Sequence, residues 1–314
     1  MWPTIRLIDV TSTATIENKQ LLAKAHVAFA ALILASCVLV LKTIGSWLTY
    51  SMHHESGSHI VLIPLVSVFL AFRDRQRIFS TVRPCSGAGI TLILGGAALY
   101  WSAIWGSLAQ TSDVSLSSAT LAIFLIWTGG FIFSYGVAAA QAAAFPLLFL
   151  LFMIPLPNRA LDWTIHLLQE GSTYVAYFLF NVVDVPVLRQ GFILTLPGVV
   201  IEVAKECSGI RSSIALFITC LLAAHLYLRS PWKILVFSLL VFPLTVVKNG
   251  IRIVTLTLLS IYVNPGFLYG HLHQDGGFVF FLLALLLLFP VFILLEKSEG
   301  KRAALPSDAE IARD

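Results

Sequence analysis

The chain has 314 residues, of which 58% are hydrophobic and only 11% charged, with a mean hydropathy of +0.89. Soluble domains carry roughly 45–50% apolar and about 25% charged residues, so no aqueous fold could hide this much apolar surface and the solvent must be lipid. The small formal charge of +4 arises from short Arg/Lys clusters between apolar runs, a pattern that fits topology control rather than nucleic-acid binding.

The first apolar run, Ala25 to Leu48, is too long for a signal-peptide h-region and lacks a cleavage site. A span needs roughly 20 apolar residues. Eight are expected, at 26–48, 58–72, 88–109, 116–136, 138–156, 208–228, 233–253 and 277–295. The second is short, and the split between the fourth and fifth rests on Ser134-Tyr135-Gly136. Pro155 and Pro157 end the fifth, since proline breaks a helix interior. The expected fold is therefore all-α and polytopic, one integral membrane domain with an insertion at 158–207 and a polar, disordered tail at 297–314.

Within the insertion, Arg159 to Val183 is apolar with scattered polar residues and suits an interfacial or re-entrant helix. The run from Val185 onward has β-branched residues flanking Pro197-Gly198, which predicts a small β-hairpin. Open strand edges are not tolerated in lipid, so the hairpin belongs outside the hydrocarbon. An N-terminus and C-terminus in the cytoplasm put 13 of the 20 Lys and Arg residues inside, against six outside and Lys42 within the first span. That excess places the 158–207 insertion on the outer face.

The polar residues that carry chemistry stand at the ends of spans. In Glu206-Cys207-Ser208-Gly-Ile-Arg211, Cys207 precedes a helix whose dipole and free N–H groups favour an anion. Arg211, one turn on, adds positive charge, while Glu206 opposes it. A capping turn with Arg211 snorkelling to headgroups is the plainer alternative. In Lys248-Asn249-Gly-Ile-Arg252, Lys248 and Arg252 share a helix face, and Arg252 belongs either in a site or on a lipid phosphate. His271 and His273 lead into the last span, where an imidazole can shuttle protons; His273 is the better fixed.

Depth arithmetic lets the three motifs meet. Cys207 lies 22 residues from Arg229, Arg252 lies 19 from Lys233, and His273 lies 23 from Glu296. These are about 33, 28 and 34 Å along a helix, against a hydrocarbon core roughly 30 Å thick. All three therefore reach the same boundary.

Other clusters carry less. His53, His54, Glu55 and His59 match no zinc spacing, and the four cysteines contain no CxxC pair, so no metal or cofactor is expected. Cys207 and Cys220 would lie roughly 20 Å apart on one helix, too far for a disulfide. Cys37 and Cys220 are expected to pack as small apolar residues. A transporter would show inverted repeats and mid-bilayer polar residues, and a scaffold would need no thiol, base and arginine together. Another membrane cysteine acyltransferase is the nearest enzymatic alternative.

The chain resembles the exosortase/archaeosortase family of membrane transpeptidases, over nearly its whole length. The resemblance rests on Phe-Met-Ile-Pro155-Leu-Pro157, Pro186-Val-Leu-Arg189-Gln-Gly191, Leu196-Pro197-Gly198, Glu206-Cys207-Ser208-Gly209-Ile-Arg211-Ser212, Asn249-Gly-Ile-Arg252 and His273-x-x-x-Gly277 with Phe278. It implies a nucleophilic Cys207 with Arg252 and His273, supported by Ser208, Arg211 and Asn249. It also implies substrates that are exported proteins with a C-terminal, PEP-CTERM-like sorting signal of motif, transmembrane helix and basic tail. The enzyme would transfer them to an acceptor, with a lipid or a polysaccharide-linked group among the options. Chemically, the Cys207 thiolate would form a thioester, Arg252 would offset the oxyanion, and His273 would protonate the leaving amine.

Overall fold

Six helices of the computed structural model are long and apolar enough to cross a membrane: Lys19–Leu39, Ser86–Trp105, Asp113–Tyr135, Ile210–Tyr227, Pro231–Tyr262 and Phe278–Glu299. Counting the broken pair Ala144–Met153 and Asn158–Val182 as one span gives seven. The structure describes residues 9–80, 82–106, 112–205, 209–268 and 277–303, and counts refer to these. The chain is a multi-pass membrane protein with one small sheet.

Three of the eight expected spans are not single long helices, and the first, 26–48, is divided at Val40 between a helix that ends at Leu39 and one that begins at Leu41. At 58–72 stands α3, Leu62–Arg73, of 12 residues, after α1 (Asp9–Leu39) and α2 (Leu41–His53). After the short α4 (Arg75–Ile78), α5 (Ser86–Trp105) and α6 (Ser112–Tyr135), the stretch 138–156 falls into α7 (Val137–Ala142), α8 (Ala144–Phe149) and a 3-10 turn to Met153. Pro146 explains the restart: without an N–H it fits the first turn of a new helix and not the interior of a long one. The break after Tyr135 falls where Ser134-Tyr135-Gly136 predicts it. Gly136 has φ +91°, and a Cβ there would collide with the Arg83 carbonyl oxygen.

The chain divides into two compact units, Met1–Asn158 and Arg159–Asp314. In the first, α5 and α6 approach backbone to backbone, and a Cβ on Gly96 would lie 2.8 Å from the Ala122 carbonyl oxygen. Small residues permit such contact where lipid gives helices no hydrophobic drive to associate. Phe29, Phe79, Phe131 and Tyr135 pack edge-on and tilted around His26, whose Nδ1 lies 2.8 Å from the Tyr135 hydroxyl.

The second unit opens with α9 (Asn158–Val182), followed by β1 (Leu188–Gln190), β2 (Ile193–Leu196) and β3 (Val199–Glu202). The sheet is antiparallel in the order β1-β2-β3, so a third strand joins the expected hairpin. Two-residue loops join the strands. Gly191 and Gly198 supply the positive φ, and Pro197 presets the second turn. Leu194 and Leu196 are buried while Ile193 and Thr195 are exposed, the alternation of a sheet with one covered face.

That face packs on Ala176 and Phe180 of α9 and on Val254, Leu258 and Ile261 of α11 (Pro231–Tyr262). This packing carries α11 past residue 253, where the expected span stops. Helix α10 (Ile210–Tyr227), the Pro231 half of α11 and α12 (Gly277–Ala303) enclose an apolar core of Leu216, Cys220, Ala224, Phe237, Val241, Ala284 and Leu288.

Residues 297–303 of the expected disordered tail continue α12 as helix. Polar contacts hold them: Glu299 accepts from the Arg229 and Ser230 amides at 2.9 Å each, satisfying orphan donors before α11. Lys233 Nζ donates to Ser298 Oγ at 2.6 Å and to the Leu295 carbonyl at 3.2 Å.

Candidate active site

The polar interior of the second unit lies where α9, the start of α10 and the middle of α11 meet. Helix α9 buries Leu168, Gln169, Ser172, Thr173, Ala176 and Phe180, residues three to four apart that form one face. The face turns from polar to apolar along its length, so its Gln169–Thr173 portion needs hydrogen-bonding partners. Gly250 of α11 comes so close that a Cβ there would sit 2.5 Å from Val175 Cγ1, and one on Gly171 would meet Val246 at 2.8 Å. The neighbouring Asn249, fully buried, donates from Nδ2 to Ser172 Oγ at 3.0 Å.

Cys207, Ser208, His271 and His273 lie outside the described residues. Both flanks of the 206–208 segment are described: the upstream one is anchored to α9 and the downstream one lies against α11. Upstream, Gln169 Nε2 donates to the Val203 carbonyl at 2.8 Å. Downstream, Gly209 caps α10 with φ +72°, and a Cβ there would lie 3.3 Å from Asn249 Oδ1 and 3.5 Å from Ser212 Oγ. The left-handed conformation costs other residues roughly 1–2 kcal/mol, which accounts for glycine at this turn. Gln169 thus holds the upstream side directly, while Ser172, one helical turn on, holds the Asn249 side chain that faces the downstream side. No motif in α9 announces this, and only the polar interruption of its apolar run hints at it.

Among the other expected site residues, Asn249 sits within this interior and Arg252, half-buried, lies one residue short of a turn beyond it on α11. Arg211 is exposed at the second position of α10. Its neighbour Ser212 faces α11 instead. Lys248, 2% exposed, donates from Nζ to Ser212 Oγ at 2.6 Å. No ion pair joins Lys248 to a carboxylate among the described residues. Ser212 Oγ in turn donates to the Gly209 carbonyl at 3.0 Å, and Ser213 Oγ donates to the same oxygen at 2.6 Å.

In the first unit the histidines of the 53–59 cluster each have a separate partner. His54 stacks on Tyr50 at 4.3 Å, His53 Nδ1 lies 2.9 Å from the Thr49 carbonyl and His59 Nε2 lies 3.1 Å from the Phe152 carbonyl. Cys220 is buried in the apolar core, while Cys37 and Cys85 are partly buried.

The Gly209 turn is thus held by Ser212 and Ser213 of its own helix, with Asn249 and Lys248 of α11 behind them. The family model described as transmembrane exosortase (Exosortase_EpsH) matches residues 47–290. The chain belongs to the transmembrane exosortase family. Membership implies a transpeptidase whose substrates carry a sorting signal. The matched region runs from α2 into α12 and so includes the whole polar interior of this family member. No curated protein and no solved structure matches the chain.

Proposed function

We propose that this exosortase-family chain is a cysteine transpeptidase with Cys207 as nucleophile, working with Arg252 and His273 at the outer face of the cell membrane. The observation that supports it best is the Gly209 turn. A left-handed residue two positions after Cys207 is pressed on Asn249 of α11, the helix that also carries Arg252. A fixed turn of this kind is the support that a nucleophile close before it in the sequence requires.

In this reading the Cys207 thiolate attacks the scissile carbonyl carbon and the charge moves to its oxygen, beside the Arg252 guanidinium. Collapse breaks the C–N bond while protonated His273 gives its proton to the leaving amine, producing a thioester. The acceptor then gives a proton to His273 and attacks the thioester, which transfers the acyl group and restores the thiolate. The substrate is an exported protein held by its own helix in the same bilayer, and this confinement raises its effective concentration.

Incubating membranes with a substrate bearing a sorting signal and trapping with hydroxylamine tests the reading. The expected result is a hydroxylamine-sensitive adduct on the Cys207 peptide, absent from Cys207→Ala, while Cys37, Cys85 and Cys220 substitutions retain processing. Full processing by Cys207→Ala would exclude the thioester. The 13-to-6 division of basic residues carries the orientation. A cysteine placed beside Asp275 should react with an impermeant maleimide in intact cells and one beside Arg75 should not; the reverse labelling refutes the orientation.

A further inference from the structure

We propose that Lys248 is a positioning residue for the nucleophile segment, fixing the Gly209 turn through Ser212 and holding a positive charge beside it. This rests on the reading of Cys207 as nucleophile and adds a residue that touches neither substrate nor reacting atoms.

Direction in the hydrogen-bond chain carries the argument. An ammonium has donors and no acceptor, so Ser212 Oγ must use a lone pair to receive Lys248 Nζ. Its own proton is then left for an acceptor elsewhere, and the Gly209 carbonyl stands 3.0 Å away. The bonds therefore run one way, from Lys248 to Ser212 to the backbone of Gly209, and a charged first donor strengthens both. The Ser213 hydroxyl completes the coordination of the same carbonyl. Asn249 Oδ1 flanks the same glycine, 3.3 Å from where a Cβ would lie.

Retention of a charge here needs a reason beyond packing. Burying an ammonium costs several kcal/mol unless its partners compensate, and ionisable residues within spans are otherwise rare. Leucine or methionine would fill the same volume without that cost. Among the described residues the charge that acts on Lys248 is Arg252, one turn on in the same helix, and Arg211 at the start of α10 is exposed. The buried polar residues of α9 are Gln169, Ser172 and Thr173, none of them charged. A serine nucleophile with lysine as base would need the first bond reversed, with Ser212 donating to a neutral amine and withdrawn from Gly209.

The test follows alkylation of Cys207 by iodoacetamide across pH, read on its peptide by mass spectrometry, beside substrate processing. It uses full-length wild type, Lys248→Met, Lys248→Arg, Ser212→Ala and Cys207→Ala in membranes. For Lys248→Met the alkylation midpoint should rise by about one pH unit, the scale of losing one nearby charge, and processing should fall at least about tenfold. Lys248→Arg should restore the midpoint and only part of the processing, since its planar fork cannot reproduce the bond to Ser212. Ser212→Ala should keep the midpoint and still slow processing several-fold.

An unmoved midpoint in a folded Lys248→Met, with Cys207→Ala inactive, overturns the positioning role alone. If Lys248→Met fails to accumulate, wild-type processing by Ser212→Ala overturns it instead. Loss in Ser212→Ala as complete as in Cys207→Ala would make Ser212 a nucleophile in its own right. Processing by Cys207→Ala would instead remove the proposed function itself.

Discussion

Lys233 and Lys248 stand 15 residues apart on α11, at 6% and 2% exposure, yet their surroundings differ in kind. Lys233 has a carboxylate at 3.7 Å, a serine hydroxyl and a backbone carbonyl, and it ties the start of α11 to the end of α12. The core beyond it is apolar. Lys248 meets a serine hydroxyl, with Arg252 one turn away, in an interior of Ser172, Thr173, Asn249 and Ser212. A buried charge with a matched counterion locks two helices. One placed beside a turn and another cation keeps a region electropositive.

The difference can be attacked from either end. The largest effect on stability is expected for Lys233→Met, which leaves Glu299 without its cation and should cost about 3 kcal/mol. Thermal unfolding in detergent reads this, and processing by the surviving folded protein should be unchanged. Lost activity at full stability would erase the contrast between the two lysines.

Next comes Arg252→Lys, expected to lose roughly 2–4 kcal/mol of transition-state stabilisation, since lysine keeps the charge but not the planar donors. Single-turnover processing measures it. Arg211→Lys, at an exposed position, should stay within about 0.5 kcal/mol of wild type in the same assay. Equal tolerance at both arginines would mean that positive charge alone is what the polar interior supplies.

A smaller change is expected for Gly209→Ala, with roughly 1–2 kcal/mol of strain at φ +72°. Because the strain falls on the turn and not on the bundle core, processing should drop further than unfolding temperature. A drop in unfolding temperature alone would show that the turn is merely a cap.

Run length makes most of the spans legible, and Pro197-Gly198 marks a hairpin in the sequence itself. What stayed hidden depends on rotation and partners. The first strand, Leu188-Arg189-Gln190, is too short and polar to show alternation. The helical restart before Pro146 reads as continuous apolar sequence. Asn249 and Arg252 drew notice because polar residues near a span end are costly, whereas Ser212 and Ser172 did not. Serine is common in helices, and its partners here stand 36 and 77 residues away in the chain. Only the packing of α9 and α10 on α11 reveals which hydroxyl meets which side chain.

At 32 residues, α11 is about 48 Å long, well beyond a hydrocarbon core of roughly 30 Å. Its final ten residues carry the surface on which the sheet rests, so the surplus length emerges at that end. Under the proposed function the helix then acts as a ruler. Arg252 is fixed at the level where lipid ends, and a substrate anchored in the same bilayer offers it only residues that have just left their own helix. Six extra residues between a sorting motif and its helix would lift the motif by up to about 20 Å if extended, far past the reach of a side chain. Such a spacer should abolish processing although every recognised residue remains. Undiminished cleavage of the spaced substrate would show that the distance is not being measured.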